Sequence, residues 1–332
     1  MAIRLKDIAQ DLGLSTMAVS KALRGHADIG VETRQRVRER AAELGYRIDM
    51  VARSMITGRS FLVGLVVPDL MQSFFAEVAS SLSAGLETSG YHVLISNTNE
   101  DAGREIDQID ILVSRKVDGL VIGSAQHDPA LLAALKVPFV MIDRIVPGLE
   151  ADYVGSDDQA IGALATRHLI DKGCRSIIHL AGPDSSTSKG RSSGFIMAMN
   201  GRNLGAWDGE IFPAGHDDAA GYETMRSLIE SGARPDGVFC FNDPVAIGAM
   251  RAACETGLAI PDDVAIIGVA NTRYADQLGV PLSSIDQGTA AIGRRAAELL
   301  LDAMAAPEGH EATATYLPAR LIARASTDRS PA

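Results

Sequence analysis

The sequence predicts a small all-α head of three helices followed by an α/β body of two lobes, each built on a doubly wound parallel sheet. Three observations indicate this fold class. Residues 1–60 show helical apolar spacing and carry a net charge of +4, whereas the rest of the chain carries −15. From Phe61 onwards, short apolar strands alternate with helical segments, which is typical of parallel sheets with helices on both faces. The runs 117–122 and 235–239 have similar sequences, which indicates two similar lobes.

Length and composition fit a protein of about two domains. The chain has 332 residues, of which 46% are hydrophobic and 22% charged, and this balance excludes wholesale disorder. No apolar run approaches the ~18 residues of a membrane helix, and the first residues lack the apolar core of a secretion signal. We therefore expect a cytoplasmic protein without a membrane partner. The cysteines form no C-x-x-C motif and are expected to be reduced core residues: Cys174, Cys240 and Cys254.

The first two helices are predicted from apolar spacing and from their boundaries. Leu5–Leu12 has apolar residues at positions 5, 8, 9 and 12, which is helical spacing. Gly13 ends this helix, because glycine tolerates the positive φ that a tight turn between helices requires. Ser15 is a favourable N-cap for a second helix over Thr16–Leu23. The alanine, glycine and valine at positions 9, 13 and 19 have the spacing of a DNA-binding helix-turn-helix.

The start of the second helix supplies the candidate DNA contacts, because this part of a recognition helix enters the major groove. Threonine can bond a base edge, methionine can contact a thymine methyl group, and lysine can reach guanine or a phosphate. The alternative for each residue is an exposed side chain without a partner. A third helix is predicted over Glu32–Leu44, with arginines that meet solvent or phosphate. The candidate contacts in the head are Ser15, Thr16, Met17, Ala18, Ser20 and Lys21.

The head resembles the LacI/GalR family of transcriptional repressors. The resemblance is carried by LKDIAQDLGLSTMAVSKALRG, VETRQRVRERAAELGYR and MVARSMITGRS, and it runs along almost the whole chain. It implies a helix-turn-helix domain over 1–48, a hinge helix and linker over 49–60, and an effector-binding and dimerisation domain over 61–332. It also implies that paired hinge helices enter the minor groove of near-palindromic operator DNA, with Ala52 and Met55 among the contacts. Methionine stands there where the family usually has a leucine wedge.

The resemblance extends to the body, because the family's effector domain is similar to periplasmic sugar-binding proteins. It implies an N-lobe of about 61–160 plus 291–320 and a C-lobe of about 161–290 plus 321–332. In such sheets the ligand lies beyond the carboxyl ends of the strands. The sequence contains no G-x-S-x-G, Walker loop, G-x-G-x-x-G after the first strand or metal-spaced histidine pair. We therefore expect neither an enzyme nor a cofactor or metal.

The resemblance also implies a set of effector-binding residues at strand ends. The arginine of the G-R-x-x-G-F motif would donate to ligand oxygens, an aspartate and an asparagine would bond hydroxyls, and an aromatic residue would pack on a ring. A histidine stands where an aromatic residue often stacks, and Asn271 follows Ala270, where many members have an acid. These candidates are Phe74, Asp143, Arg191, His216, Asn242 and Asn271. The expected effector is a sugar or a sugar acid. Because a missing carboxylate lowers the repulsion of anions, we hypothesise a sugar acid or another carboxylate rather than a neutral sugar.

Other interpretations of these residues and of the whole chain stay open at this point. Asp243 could simply cap the helix that follows it, and Asp143 could form a local ion pair with Arg144. The resemblance implies a homodimer, and the C-terminal segment shows no leucine heptad for a tetramer. A periplasmic solute-binding protein and an α/β enzyme that processes sugars or nucleotides share the predicted body fold. The basic head argues against the first alternative and the missing catalytic motifs argue against the second.

Overall fold

The computed structural model describes residues 3–23, 25–46, 54–55, 57–200, 209–306 and 310–329. The chain divides into two compact units, which span residues 1–60 and 61–332. Across the described ranges, no helix combines the length and the apolar character that crossing a membrane requires.

Three short helices form the head around one small core. They are α1 (Leu5–Leu12), α2 (Thr16–Leu23) and α3 (Val31–Glu43). The first two match the prediction, and α3 begins and ends one residue earlier than predicted, with Gly30 as its N-cap. Gly13 has φ +66° and its N–H bonds the end of α1, as the tight turn requires. The core is made of the buried side chains Ile8, Ala9, Val19, Ala22, Val37 and Ala41.

The body alternates strands and helices along the chain. Its strands are β1 Leu62–Val67, β2 His92–Asn97, β3 Gly119–Ile122, β4 Phe139–Ile142, β5 Asp152–Ser156, β6 Ile177–Ala181, β7 Ile211–Pro213, β8 Gly237–Cys240, β9 Ala265–Val269, β10 Ser283–Asp286, β11 Ala314–Leu317 and β12 Arg320–Ile322. Its helices are α4 Ser73–Glu87, α5 Ala102–Ser114, α6 Ala130–Ala133, α7 Asp158–Asp171, α8 Ser186–Met199, α9 Asp218–Glu230, α10 Asp243–Glu255 and α11 Thr289–Ala305.

These strands form two six-stranded sheets, one in each lobe. The N-lobe order is β11-β5-β4-β3-β1-β2, and the C-lobe order is β12-β10-β9-β8-β6-β7. All neighbouring strands run parallel except β10 and β12, so the predicted parallel sheet of the C-lobe has one antiparallel edge strand. The chain passes between the sheets after β5, after β10 and after β11. Three chain segments therefore connect the two lobes.

Helices cover both faces of each sheet, as a doubly wound fold requires. In the N-lobe, α4 and α11 enclose one apolar cluster and α5 with α6 enclose the other. In the C-lobe, α9 and α10 pack on one face and α7 and α8 on the opposite face. Cys174 and Cys240 lie in these cores, but Cys254 is exposed on α10. The expectation of three core cysteines was therefore wrong for Cys254.

Candidate nucleic-acid interface and effector cleft

The start of α2 presents an exposed polar and apolar surface. The hydroxyl of Ser15 accepts a hydrogen bond from the N–H of Ala18 at 3.1 Å, so Ser15 caps the helix as predicted. The buried side of α2 is formed by Val19 and Ala22. On the other side Thr16 is exposed and Met17 is 68% exposed. The first turn of α2 is therefore free for contact with a base edge.

The two remaining candidates on α2 are partly covered. Ser20 is half-buried and has a polar partner within the chain. The Nζ of Lys21 lies 2.5 Å from Oδ2 of Asp28, in the segment between α2 and α3. This hydrogen bond from Lys21 lowers the pKa of Asp28. A DNA phosphate or base would therefore compete with Asp28 for the lysine.

Some arginines of the third helix stabilise the head rather than extend into solvent. Arg40 bonds Asp11 of α1 at 2.6 Å and Glu43 at 2.8 Å. Arg34 donates to the backbone oxygen of Gly25 at 3.0 Å. These contacts tie α3 to α1 and to the segment after α2, so they support the orientation of the helix pair.

The hinge segment contains a short helical stretch. Ser54, Met55 and Thr57 have helical backbone conformation, and the N–H of Gly58 donates to the oxygen of Ser54 at 2.8 Å. Met55 is 85% exposed, which suits an apolar side chain that inserts into a groove. Ala52, the other hinge candidate, lies outside the described residues.

Arg191 is buried in the wall of the cleft between the lobes. It is 4% exposed, and its Nε donates to Oδ1 of Asp158 at 2.9 Å. Its Nη1 donates to the backbone oxygen of Phe241 at 2.7 Å, and its guanidinium lies 4.8 Å from the centre of the Phe241 ring. Burial raises the pKa of Asp158, against the opposing effect of the arginine. Two donor groups of Arg191 are therefore already used within the protein.

Asp143 follows β4 in a strained turn. Its φ is +61°, and the N–H of Arg144 donates to the oxygen of Ile142 at 2.6 Å across it. The hydroxyl of Tyr153 donates to the backbone oxygen of Asp143 at 3.1 Å. Burial raises the pKa of Asp143, and Arg191 and Arg144 oppose that shift. The turn therefore holds a carboxyl group at the strand end, facing the guanidinium groups.

Arg144 pairs with a different acid from the one its sequence position suggests. Its Nη1 and Nη2 each lie 2.6 Å from a carboxylate oxygen of Glu100, after β2. Its Nε lies 4.0 Å from Oδ2 of Asp143, which is too long for a hydrogen bond. The local ion pair with Asp143 is therefore secondary to the two-bond pair with Glu100.

Asn242 and His216 are joined across the C-lobe strand ends. The Oδ1 of Asn242 accepts from the N–H of Val245, so Asn242 is the N-cap of α10. Its Nδ2 donates to the backbone oxygen of His216 at 2.8 Å. The imidazole Nε2 of His216 lies 3.6 Å from Oδ2 of Asp69 in the N-lobe. This histidine therefore reaches across the cleft.

The alternative role of Asp243 as the helix cap is wrong, because the preceding residue has the extended backbone of an N-cap. Its carboxylate instead accepts from the N–H of Thr272 at 2.7 Å and from the hydroxyl of Ser284 at 2.6 Å. Burial raises the pKa of Asp243 to about 6. Asp243 thus anchors the segment after β9 to α10.

Asn271 and Phe74 are largely occupied by contacts within their own lobes. Asn271 has φ +49°, and its Oδ1 accepts from Nη2 of Arg324 at 2.7 Å. Ala270 before it has φ +111°, so the chain is strained where it leaves β9. Phe74 packs in the N-lobe core, with its ring edge-to-face on Phe75 at 5.0 Å. Only a small part of Phe74 remains available to a ligand.

A few buried polar atoms of the N-lobe are candidates for contact with a ligand. Among the described residues, four such atoms near its strand ends have no hydrogen-bond partner: Gln72 Nε2, Ser73 Oγ, Thr98 Oγ1 and Arg144 Nε. An orphaned buried polar atom is costly unless a water or a ligand satisfies it. Gln72, Ser73, Thr98 and Asp158 belong to no sequence motif and were therefore not predicted, whereas Arg144 was expected only as an ion-pair partner of Asp143.

Two sequence profiles match this chain. The profile of bacterial regulatory proteins of the lacI family matches residues 4–49, which cover the head. The profile of a periplasmic binding protein-like domain matches residues 166–327. The two matches lie on the two kinds of fold that the chain combines.

Relatives match nearly the whole chain. The HTH-type transcriptional repressor PurR of Pectobacterium carotovorum is 31% identical over 306 residues, which are 90% of this chain and 89% of that protein. The ribose operon repressor of Haemophilus influenzae is 32% identical over 317 residues, or 95% and 96% of the two chains. A crystal structure of the lac repressor dimer bound to operator and the anti-inducer ONPF matches with a TM-score of 0.86 at 22% identity, covering 98% and 99% of the two chains. That last similarity shows a shared fold.

Proposed function

Because the chain belongs to the LacI family of bacterial regulatory proteins, we propose that it represses transcription as a homodimer whose affinity for operator DNA is switched by a small effector bound between its lobes. One observation carries the proposal. A capped helix with an exposed first turn lies in a basic head, and this head precedes along the chain a two-lobed body that contains unpaired buried polar atoms. These features support a chain that combines DNA recognition with ligand binding. The two relatives are named as repressors, not as enzymes.

The head supplies the proposed DNA contacts. Ser15, Thr16, Met17, Ala18, Ser20 and Lys21 are the candidates for the major groove, and Ala52 and Met55 are the candidates for the minor groove. A two-fold pair of heads requires two half-sites in a near-palindromic operator. The lac repressor structure, a dimer on its operator, supports this arrangement. A DNA-binding protein of this kind works in the cytoplasm, where bacterial operators are.

The cleft supplies the proposed effector site. Its candidate residues are Phe74, Asp143, Arg191, His216, Asn242 and Asn271, and we infer that the effector is a sugar or a sugar derivative. The ribose operon repressor, a relative that matches over most of both chains, supports a sugar. A ligand acts by binding one of two states of the repressor more tightly, and this coupling is typically ~1–3 kcal/mol. It either releases the operator or strengthens its binding.

Selection of duplexes from a random library by the full chain tests this proposal. We expect the enriched duplexes to share a near-palindrome, and fluorescence anisotropy to give a tighter dissociation constant for them than for random DNA. A screen of sugars added to this complex should find a compound that changes the affinity by roughly 5- to 150-fold. Sedimentation of the free protein should show a dimer. No enrichment over random competitor, with and without small molecules, would contradict the proposal.

A further inference from the structure

One acidic side chain lies directly beside a lysine that is a candidate DNA contact. The carboxylate oxygen Oδ2 of Asp28 is 2.5 Å from Nζ of Lys21 on α2. Both side chains reach the surface, since 53% of Asp28 and 35% of Lys21 are exposed. Asp28 is not the cap of the helix that follows it, because the N-cap of α3 is Gly30. If Lys21 contacts DNA, the carboxylate is therefore brought to the same part of the duplex.

The segment that carries this carboxylate is fixed to both neighbouring helices. The N–H of His26 donates to the backbone oxygen of Lys21 at 3.1 Å. From α3, Nη1 of Arg34 donates to the backbone oxygen of Gly25 at 3.0 Å. Ile29 packs against the apolar core of the head. The fold thus sets the position of the carboxylate relative to α2, as recognition of a single base requires.

The carboxylate of Asp28 is ionised at neutral pH and is repelled by DNA phosphates. The hydrogen bond from Lys21 lowers the pKa of Asp28, and the nearby His26 acts in the same direction. Lys21 can keep this bond while it approaches a phosphate, because an ammonium group has three donors. The binding of Lys21 to any duplex therefore brings a negative charge towards a polyanion. A hydrogen-bond donor on the DNA would offset this repulsion.

Only two kinds of base offer such a donor in the major groove. They are cytosine, through its N4 amino group, and adenine, through its N6 amino group. In adenine the N7 acceptor lies beside the amino group and repels a carboxylate. Cytosine presents its amino group without an acceptor of its own in this groove, and aspartate and glutamate accept from it. Cytosine is therefore the base that best fits Asp28.

We propose that Asp28 is a specificity-determining residue that accepts a hydrogen bond from the N4 amino group of one cytosine in each operator half-site, while Lys21 contacts a neighbouring phosphate. This inference rests on the proposed function and adds a residue that the sequence analysis did not name as a DNA contact. Because two heads bind a near-palindrome, the cytosine recurs at the symmetry-related position of the second half-site. A duplex with another base at this position keeps the repulsion and loses the hydrogen bond.

Selection of duplexes from a random library by the full chain and by two variants tests the proposal. We expect the wild type to enrich cytosine at one position of each half-site. Asp28→Asn should enrich adenine there instead, because an asparagine side chain bonds both N6 and N7 of adenine. Asp28→Ala should show no preference at that position. The other positions of the selected sequence should stay the same in all three proteins.

Competition binding with single-position duplexes measures the size of the preference. We expect the wild type to favour cytosine over each other base at this position by roughly 5- to 150-fold, which is the range for one good base contact. Asp28→Ala should reduce this ratio to near one. The ratio is the informative quantity, because removing the negative charge of Asp28 should tighten binding to DNA of any sequence at low salt.

Glu39→Gln is the matched control, because it also removes one negative charge from the head. Glu39 is exposed on α3 and accepts a hydrogen bond from Gln35 at 2.8 Å. We expect Glu39→Gln to select the same sequences as the wild type. If both Asp28 variants also select those sequences, or if Glu39→Gln changes the same position, the assignment of Asp28 is overturned. A wild type that enriches no duplex at all would instead refute the proposed function.

Discussion

The side-chain amide of Asn242 is used twice within the protein. One end caps α10 through Val245, and the other holds the backbone oxygen of His216. A ligand hydroxyl that bonds this amide must therefore share it with the fold. By contrast, the Nε of buried Arg144 has no hydrogen-bond partner among the described residues. At the scale of single residues, an unpaired donor or acceptor atom indicates a ligand contact more directly than the residue type does.

Asn242→Ala should lower the free energy of unfolding by about 1 to 2 kcal/mol, because it removes a helix cap and leaves a carbonyl oxygen unpaired. Urea unfolding followed by circular dichroism measures this loss. Asn242→Asp is the matched variant, since an aspartate still accepts from Val245. It should recover only the part of the stability that the helix cap contributes, because a carboxylate cannot donate to the backbone oxygen of His216. Equal stability of Asn242→Ala and the wild type would show that the cap contributes nothing.

Lys21→Ala should weaken operator binding. It should also make the slope of log affinity against log salt concentration shallower by about one, which is the change expected for one lost phosphate contact. Asp28→Asn should strengthen binding at low salt, because it releases Lys21 from its ion pair and removes a negative charge beside the DNA. Anisotropy titrations at several salt concentrations measure both effects. Lys172→Ala is the control, because Lys172 is an ion-paired lysine of the body, 2.9 Å from Asp328. An unchanged salt slope for Lys21→Ala would assign the lysine to a base or to solvent.

At the scale of elements, the head depends on the turn between α1 and α2. Gly13 has φ +66°, and among the described residues no atom beyond its chain neighbours and its own helix lies within 4 Å of the position where a Cβ would be. Gly13→Ala therefore costs only backbone strain, about 1 kcal/mol, since an L residue rarely adopts this conformation. We expect weaker operator binding and faster hydrogen exchange at the Val19 amide. Gly13→Asn should lose less operator affinity than Gly13→Ala, because asparagine tolerates the left-handed region of backbone conformation. A larger loss of affinity for asparagine than for alanine would contradict this explanation.

At the scale of the whole molecule, the proposed effector site and the proposed operator site lie in separate compact units. Coupling between two such sites is measured as a free energy. Arg191→Ala should abolish the response to effector while operator affinity in its absence stays within a few fold. The double variant Arg191→Ala with Asp158→Asn removes both charges of the buried ion pair. It therefore avoids the folding defect that an unpaired buried carboxylate could cause. Exposed Arg251 provides the control variant Arg251→Ala. A normal response in Arg191→Ala would remove Arg191 from the site.

Coupling between the two sites must also be reciprocal. If the effector changes operator affinity by some factor, saturating operator must change effector affinity by the same factor. Calorimetric titration of effector into the free protein and into the operator complex measures the second factor. A mismatch between the two factors would show that effector and operator do not act on one two-state equilibrium.

Local patterns in the amino-acid sequence determined the helices of the head and most strands of the body. The apolar spacing and Gly13 predicted the observed bounds of α1 and α2. A turn and a helix face are set by residues that are close in the sequence, so local patterns are sufficient to find them. Short strands with mixed burial, such as β7 and β12, escaped prediction, since their partner strands rather than their own residues define them. Helix α8 begins at Ser186, five residues before the arginine of the G-R-x-x-G-F motif, and Ser185 caps its polar first turn.

The sequence by itself also determined the kind of protein, through a basic head and strand-end residues of the LacI/GalR type. Only the tertiary structure decided which donor and acceptor atoms of those residues remain available to a ligand. Arg191 donates a hydrogen bond to Asp158, Arg144 to Glu100, and Asn242 to His216. In each pair the two residues are 26 or more positions apart in the sequence. Such pairs form because the carboxyl ends of parallel strands converge at one edge of a sheet, and the order of strands along that edge differs from their order in the chain.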